Sequence, residues 1–215
     1  MHLRLPALLA AALLVGGCGG GDDETSSESA PGCSAVEAPA ARDPEPRQAP
    51  SSELDPDVTH TALVRTNCGE FTITLAPDLS PHATASFAAL ATDGYYDDTL
   101  FHRIVPGFVI QGGDPTQTGA GGPGYTTVDT PAKDTQYTLG TVAMAKTAAE
   151  PRGAAGSQFF VVTSDEIQLP GDYAVIGEVT SGFETAARIG GYGDAGGVPT
   201  LVVVVESIEV SSMDG

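Results

Sequence analysis

Short strands that follow one another with few intervening helices constrain the fold of this 215-residue chain more than any other feature. Residues 59–66 and 70–75 alternate between apolar and polar side chains on either side of Asn67-Cys68-Gly69, a pattern that predicts a β-hairpin. Further short strands are predicted at 100–105, 108–112, 141–146, 157–163, 173–179 and 201–210. Because these strands do not alternate with helices, the pattern disfavours a parallel α/β sheet.

Two helices are predicted within this series of strands. The first begins at Ser80-Pro81, which offers a capping side chain and a proline at the first helical position, and it ends at Gly94. The second spans about 183–189. We therefore predict a mainly β fold of seven or eight strands. A closed antiparallel barrel with helices over its ends fits best, because closure removes exposed sheet edges.

The first 17 residues have the pattern of a signal peptide. Arg4 is followed by an apolar stretch over 5–15, which is too short to span a bilayer, and then by Gly16-Gly17 and Cys18. Small residues directly before a cysteine resemble the lipobox of bacterial lipoproteins, in which the cysteine is lipidated and becomes the N-terminus. We expect Cys18 to anchor the protein at the extracytoplasmic face of the cell membrane. The alternative is an ordinary secreted protein with an incidental cysteine.

Residues 18–57 are predicted to be an acidic, disordered linker. They are rich in Pro, Ser and Gly and have almost no aliphatic periodicity, so they bury too little surface to offset the entropy of ordering. The folded domain is predicted to occupy residues 58–212.

Export would determine the oxidation state of the cysteines, since cysteines tend to form disulfides outside the cytoplasm. If Cys18 carries lipid, Cys33 and Cys68 remain, and an even number favours pairing. We therefore predict a Cys33–Cys68 disulfide. The alternative is two free thiols.

Charge and motif spacing argue against several classes of function. The net charge of −19 disfavours nucleic acid as a partner, which requires clustered Lys and Arg. Gly119, Gly121 and Gly124 fit GxGxxG, but Pro123 lies inside the motif and the flanking strand and helix are missing, so we interpret it as a surface loop. The four histidines show no metal-ligand spacing, and we expect neither a metal nor a cofactor.

Two separated stretches carry the residues that suggest a function. FHRIVPGFVIQGGD at 101–114 and AGSQFFVVT at 155–163 would place one arginine, two glutamines and several aromatic side chains on neighbouring strands. Neither a cysteine, a serine nor a metal ligand joins them as a nucleophile. The pattern indicates a pocket that binds a peptide and changes its conformation rather than cleaving it.

These stretches also resemble a known family. FHRIVPGFVIQGGDPT, GTVAMAK, GSQFFVVT and YAVIGEVTSGFE, in this order and spacing, are similar to the cyclophilin family of peptidyl-prolyl isomerases over about 58–210. TNCGEFTITL and AKTAAEPRGAAGSQFFVVT resemble the actinobacterial branch. The resemblance implies a closed eight-stranded antiparallel barrel capped by two α-helices. It also implies an enzyme that rotates X–Pro bonds in peptide segments of unfolded proteins. Together with the signal peptide, this leads us to expect a monomer that assists the folding of exported proteins.

The resemblance further implies a role for individual residues. Arg103 corresponds to the family's catalytic arginine. The remaining positions correspond to residues that bind the substrate peptide: Phe108, Val109, Phe160 and Leu169 in the proline pocket, Gln111 at the substrate backbone, Ala145 and Lys146 at the edge that pairs with the peptide, Gln158 at the neighbouring subsite, and Tyr173.

Two positions depart from the family pattern. Gln168 stands where the family commonly has a tryptophan associated with tight cyclosporin binding, and Tyr173 stands where it commonly has histidine. We therefore expect weak cyclosporin binding, whereas Tyr173 retains a ring and a donor. An insertion around 150–153 lengthens the loop beside the substrate groove.

Two other functions remain as alternatives to an active isomerase. The first is a non-catalytic peptide-binding or holdase module that uses the same groove. Arg103 favours activity, since binding alone does not require a charge at the imide. The second is a surface protein whose acidic exterior contacts a partner, although no patch in the sequence marks such a site.

Overall fold

The computed structural model describes residues 32–43 and 46–213 of the chain. The predicted signal peptide over 1–17 and the predicted lipidation site at Cys18 lie outside these residues. Among the described residues, no helix is both long enough and apolar enough to cross a membrane.

The described chain contains eleven strands and two helices. The strands are β1 (Thr59–Thr66), β2 (Gly69–Leu75), β3 (Thr99–Leu100), β4 (Arg103–Val105), β5 (Val109–Gly112), β6 (Thr127–Val128), β7 (Thr141–Met144), β8 (Ala154–Ala155), β9 (Phe159–Val162), β10 (Val175–Ser181) and β11 (Val204–Met213). The helices are α1 (Pro81–Thr92) and α2 (Phe183–Gly190). The predicted hairpin and both predicted helices are therefore confirmed. The short pair β6–β8 was not expected from the sequence.

Nine of the strands form one curled antiparallel sheet in the order β3-β11-β1-β2-β10-β7-β9-β5-β4. The prediction of a closed eight-stranded barrel is wrong, because the sheet is a half-barrel with two edges, β3 and β4. The sequence predicted one strand over 100–105, but Phe101 and His102 interrupt it and leave β3 with only two residues. A single bridge joins Leu100 of β3 to Asp114, which follows β5, and this is too little pairing to close the sheet.

The ends of α1 depend on contacts that the sequence indicates only in part. Ser80 precedes the helix, but its side chain makes no capping hydrogen bond. Asp129, distant in sequence, instead accepts a hydrogen bond from the backbone N–H of Ala83 at 2.6 Å and from His82 at 2.8 Å. At the other end Gly94 adopts a left-handed conformation (φ 67°), and the N–H of Tyr95 bonds to the carbonyl of Leu90.

Apolar side chains form two clusters on opposite faces of the sheet. The larger cluster lies inside the curled sheet and contains aromatic rings packed edge to face, such as Phe159 with Phe87 at a centroid distance of 5.4 Å. The smaller cluster is built around Val109, Phe160 and Val162. Because side chains alternate along a strand, β5 and β9 send neighbouring residues into different clusters. The smaller cluster forms the floor of the site described below.

The described residues of the predicted linker contact the domain instead of extending from it. A disulfide joins Cys33 to Cys68, as predicted, and Leu54 packs against the larger cluster. Residues 34–43 and 46–50, which we call the strap, have no regular secondary structure but donate and accept hydrogen bonds along the domain surface. This arrangement differs from the expectation of a free linker. Hydrogen bonds and the disulfide hold the strap on the domain, and neither kind of contact can be predicted from hydrophobic periodicity.

Candidate active site

The site is built on a row of residues that face one another across neighbouring strands. Arg103 on β4 is paired with Gln111 on β5, Gln111 with Phe160 on β9, and Phe160 with Ala143 on β7. Directly paired residues in an antiparallel sheet project to the same face. The register therefore places the predicted arginine, one predicted glutamine and one predicted aromatic side by side on the outer face of the half-barrel.

A cavity of about 260 Å³ opens on this face. Nine of the ten side chains predicted from the sequence for catalysis and peptide binding line it: Arg103, Phe108, Val109, Gln111, Ala145, Lys146, Phe160, Leu169 and Tyr173. Val109 and Phe160 are almost fully buried and form its floor. Phe108 and Leu169 add apolar surface to the walls, and among the described residues the lining includes two cations and no carboxylate.

Arg103 lies half-buried at the edge of this cavity. Its Nη1 donates a hydrogen bond to Gln111 Oε1 at 3.3 Å, and its guanidinium carbon lies 6.0 Å from the centroid of the Phe108 ring. No carboxylate among the described residues lies within salt-bridge distance of Arg103. Its charge is therefore available to a group that enters the cavity.

Tyr173 closes the opposite side of the cavity and is held by a tyrosine that sequence reasoning missed. Its ring packs edge-on against Phe160 at a centroid distance of 5.3 Å. The Tyr137 hydroxyl accepts from the N–H of Tyr173 and donates to its carbonyl, each at 2.9 Å. Burial raises the pKa of Tyr137, which keeps this hydroxyl a donor. Tyr137 lies between strands, and no spacing in the sequence marks it.

A second cavity of about 450 Å³ adjoins the first. Gln111, Ala145 and Lys146 line both cavities, and Gln158 lines only the second. Gln158 Oε1 accepts a hydrogen bond from Gln111 Nε2 at 3.0 Å. The two predicted glutamines are thus in contact, and together with the edge of β7 they form the boundary between the cavities.

We call residues 115–124 the groove loop, and its residues 119–124 form the far wall of the second cavity. Asp114 is buried at the start of this loop and its Oδ2 accepts from the N–H groups of Gly119 and Gly121, at 2.7 and 3.1 Å. Burial alone would raise the pKa of Asp114, but hydrogen bonds from Thr116 and these amides outweigh it, and the pKa is lowered. A Cβ at Gly121 would collide with Asp114, so a glycine is required where the backbone closes around this carboxylate.

Two features that distinguish this chain from the family pattern lie beside the first cavity. Gln168 is exposed and does not line the cavity. Within the predicted insertion, Arg152 donates to the carbonyl of Gly171 and forms an ion pair with Asp172 at 2.9 Å. The insertion is therefore tied to the segment that leads into Tyr173.

His102 lies between β3 and β4, directly before Arg103, and does not line the first cavity. Burial lowers the pKa of its imidazole, and the nearby Asp114 carboxylate opposes only part of this effect. The described residues contain no group of three or more His, Cys, Asp and Glu side chains arranged to hold a metal.

Comparison with known proteins identifies the family. Residues 61–210 match the family described as cyclophilin type peptidyl-prolyl cis-trans isomerase/CLD. Peptidyl-prolyl cis-trans isomerase B of Bacillus subtilis is 43% identical over 116 residues, which cover 54% of this chain and 79% of that protein. A peptidyl-prolyl cis-trans isomerase of Arabidopsis thaliana is 37% identical over 139 residues, which cover 63% and 80%.

Solved structures agree with these matches. A cyclophilin type isomerase of Cryptosporidium parvum superposes with a TM-score of 0.65 at 33% identity, covering 72% of this chain and 99% of that one. A second structure, of that isomerase in the presence of the dipeptide Ala-Pro, gives a TM-score of 0.64 at 33% identity and covers 71% and 99%. The chain belongs to the cyclophilin type family and is a peptidyl-prolyl cis-trans isomerase.

Proposed function

We propose that this isomerase rotates X–Pro bonds in exported proteins at the extracytoplasmic face of the cell membrane, to which lipidated Cys18 anchors it as a monomer. The observation that carries the catalytic part of the proposal is the position of Arg103, which has no carboxylate partner among the described residues, at the edge of a cavity with an apolar floor. In this proposal the cavity takes up a proline ring, and Arg103 contacts the imide of that proline.

The reaction sets a specific demand on the site. Resonance across the X–Pro amide gives a rotation barrier of about 18–20 kcal/mol. The cis and trans forms differ by only about 0.5–1 kcal/mol. A catalyst must therefore stabilise the twisted transition state without favouring either planar form.

Arg103 is suited to this demand in our proposal. As the amide twists, resonance is lost and the prolyl nitrogen acquires a lone pair, which can accept a hydrogen bond that the planar amide cannot. A guanidinium directed at this nitrogen interacts with the transition state more strongly than with the ground state, so it lowers the barrier. The planar fork of Arg103 can also donate to the carbonyl of the proline.

The other predicted residues have binding roles in this proposal. Phe108, Val109, Phe160 and Leu169 would enclose the proline ring, and burying it would contribute about 25 cal/mol per Å² of apolar surface. Gln111 would bond the substrate backbone, and the half-exposed edge at Ala145 and Lys146 would pair with the extended peptide. Gln158 would contact the substrate residue that occupies the second cavity. Tyr173 would complete the wall of the first cavity opposite Arg103.

The proposed compartment has support from two parts of the chain. The sequence of residues 1–18 has the order of a lipoprotein signal, with an apolar stretch followed by small residues and Cys18. The disulfide between Cys33 and Cys68 is of a kind that persists in oxidising compartments. The resident clients of such a compartment are exported proteins that fold after translocation.

An assay of X–Pro isomerisation in a short peptide tests the proposed catalytic site. The expected result is acceleration that is lost in Arg103→Ala, while a proline-containing peptide still binds. A holdase would bind the peptide and suppress aggregation of an unfolded protein without accelerating isomerisation. That result would replace the catalytic proposal with the alternative of a binding module.

Membrane attachment needs a separate experiment. Cells that express the full chain are labelled with a fatty-acid analogue and fractionated, with Cys18→Ser as the comparison. We expect label and membrane association in the wild type and neither in the variant. Equal distribution of the two proteins between membrane and soluble fractions would overturn the anchor.

A further inference from the structure

The strap lies outside residues 61–210, the part of the chain that matches the family. It nevertheless runs along the outer side of the groove loop. Three hydrogen bonds join the two segments: Gln117 Nε2 to the Pro39 carbonyl at 2.9 Å, the Arg42 N–H to the Pro115 carbonyl at 3.0 Å, and the Arg47 N–H to the Pro123 carbonyl at 2.8 Å. The strap therefore contacts the groove loop near its beginning and near its end.

Two arginines fix the strap to the turn that follows α1. Arg42 donates from Nη1 and Nη2 to the carbonyls of Asp97 and Tyr95, at 2.7 and 2.6 Å. Arg47 forms an ion pair with Asp93 at 2.7 Å, and its guanidinium carbon lies 6.0 Å from the centroid of the Tyr95 ring. The strap thus bridges the groove loop and the end of a helix that packs in the core.

The strap is also fixed at its N-terminal end. The disulfide holds Cys33 at the β1–β2 turn. Next to it, Ser34 donates its N–H to the Asn67 carbonyl at 2.8 Å, and Asn67 Nδ2 donates to the Ser34 carbonyl at 2.7 Å. Attachment at both ends restricts the movement of the segment between them.

The inner side of the groove loop leads to the active site. The carbonyls of Gly119 and Gly121 accept hydrogen bonds from Gln158 Nε2, at 2.9 and 3.0 Å. Gln158 in turn accepts from Gln111, and Gln111 accepts from Arg103. An unbroken series of hydrogen bonds therefore connects the loop to the arginine at the first cavity.

The groove loop needs support from outside. Four of its ten residues are glycines, at 119, 121, 122 and 124, and residues 118–120 are exposed. Glycine gains more conformational freedom than other residues when it is released, and a loop with few buried contacts opens readily. Asp114 holds this loop from within, and the strap holds it from outside.

We propose that the strap is a positioning element of the active site, with Arg42 and Arg47 as positioning residues. They fix the groove loop, whose carbonyls orient Gln158 and, through Gln111, the guanidinium of Arg103. The strap contributes to the rate of isomerisation without touching the substrate. Detaching it lowers kcat more than it raises KM, because the disturbed contact acts in the transition state.

The test uses the full chain with Arg42→Met and Arg47→Met combined. Arg65→Met is the matched control, since Arg65 is a similarly exposed cation that pairs with Glu70 and Glu209 away from the groove loop. Isomerisation of a short X–Pro peptide is measured well below the melting temperature. Amide hydrogen exchange is followed over 115–124, with β9 as the internal reference.

We expect the double variant to lose about two- to thirty-fold in kcat/KM, the range typical of coupling through packed networks. Exchange over 115–124 should accelerate, while exchange in β9 and the behaviour of Arg65→Met remain as in the wild type. Combined Arg42→Lys and Arg47→Lys should restore part of the loss, since lysine still donates to the same acceptors.

Faster exchange with unchanged kcat/KM would overturn the proposal, because the strap would then only stabilise the loop. Unchanged exchange and unchanged kcat/KM would also overturn it. If the double variant does not fold, the Cys33–Cys68 disulfide is reduced in the wild type instead. Isomerisation and hydrogen exchange over 115–124 are then measured, and the same outcomes support or overturn the proposal. This inference rests on the proposed catalytic role of Arg103, which the Arg103→Ala assay tests separately. Membrane attachment does not enter the comparison, because all variants are compared with the wild type.

Discussion

Arg103 and Gln111 are directly paired across β4 and β5, and Arg103 Nη1 donates to Gln111 Oε1 at 3.3 Å. This contact restricts a side chain that would otherwise have several rotamers at the cavity edge. It leaves the remaining N–H groups of the guanidinium free to point elsewhere, since arginine has five donors. The strand register thus orients the charge before any peptide binds.

Replacing Arg103 by alanine should remove most of the isomerase activity. Loss of one donor to a transition state typically costs about 2.7–4 kcal/mol, or about 10²–10³ in kcat. Arg103 is half-buried at the surface, so the melting temperature should change little. The measurement is kcat/KM on an X–Pro peptide together with a thermal melt.

Arg65→Ala serves as the control for the loss of a cation, because Arg65 pairs with Glu70 on the hairpin. It should retain wild-type kcat/KM. Near wild-type turnover by Arg103→Ala, with an unchanged melting curve, would show that the role assigned to Arg103 is wrong.

Lys146 should favour peptides that carry an acidic residue beside the proline. It lines both cavities, and no carboxylate among the described residues lies within salt-bridge distance of it, in a chain with a net charge of −19. An exposed ion pair contributes about 0.2–1 kcal/mol, so kcat/KM for a Glu–Pro peptide should exceed that for a Gln–Pro peptide by up to about five-fold.

The comparison is made in wild type, Lys146→Met and Lys133→Met at low and high salt. Lys133 lies outside both cavities and is exposed, so its variant should keep the preference. Salt should weaken the preference in the wild type because it screens exposed charges. If Lys146→Met still prefers the Glu–Pro peptide, another residue is the source of the preference.

Most of the site could be predicted because its residues lie in two continuous motifs. The motif at 101–114 supplies Arg103, Phe108 and Gln111, and the alternation along β5 already places Val109 and Gln111 on the same face. What the sequence could not supply is the long-range support. Tyr137 and Asp129 act through hydrogen bonds to distant segments, and such pairs leave no local periodicity.

The closed barrel and the free linker were expected for related reasons. The apolar pattern of 100–105 suggested one continuous strand, whereas backbone pairing actually stops at Leu100 and resumes at Arg103. The strap has almost no apolar periodicity, so composition alone suggested disorder. Its contacts are made by backbone groups and by Arg42 and Arg47, whose partners are carbonyls far away in the sequence.

Cyclosporin A should inhibit this isomerase weakly. Gln168 is exposed, does not line the first cavity, and cannot supply the area or the donor of an indole. Gln168→Trp should increase sensitivity to the drug and leave the turnover of a short peptide nearly unchanged. Inhibition constants for the two proteins decide the matter, and tight inhibition of the wild type would contradict the prediction.

His102 should make the domain less stable as the pH falls below about 6.5, the pKa of histidine in an unfolded chain. Burial lowers the pKa of His102 in the folded state, so the unfolded chain takes up a proton that the folded chain does not. The stabilisation is complete above the unfolded pKa and is lost progressively down to the folded pKa. Denaturant unfolding from pH 5 to 8, with His102→Gln for comparison, measures this contribution.

His82 gives a control of opposite sign. Its hydrogen bond and ion pair with Asp129 raise its pKa, so its contribution is complete below about 6.5 and is lost as the pH rises through the folded pKa. His82→Gln should therefore change the pH dependence only above this value. If His102→Gln has the same acid sensitivity as the wild type, the buried imidazole is not its source.

The disulfide between Cys33 and Cys68 should be formed in the mature protein and should stabilise it. It closes a loop with a sequence separation of 35, and the loop-entropy estimate for this length is about 3–4 kcal/mol. Because the strap packs against the groove loop and the end of α1, this stabilisation concerns a folded part of the molecule. Combined Cys33→Ser and Cys68→Ser should lower the free energy of unfolding by an amount of this order. Mass mapping without reductant checks the bond itself, and two alkylatable thiols at these positions would refute it.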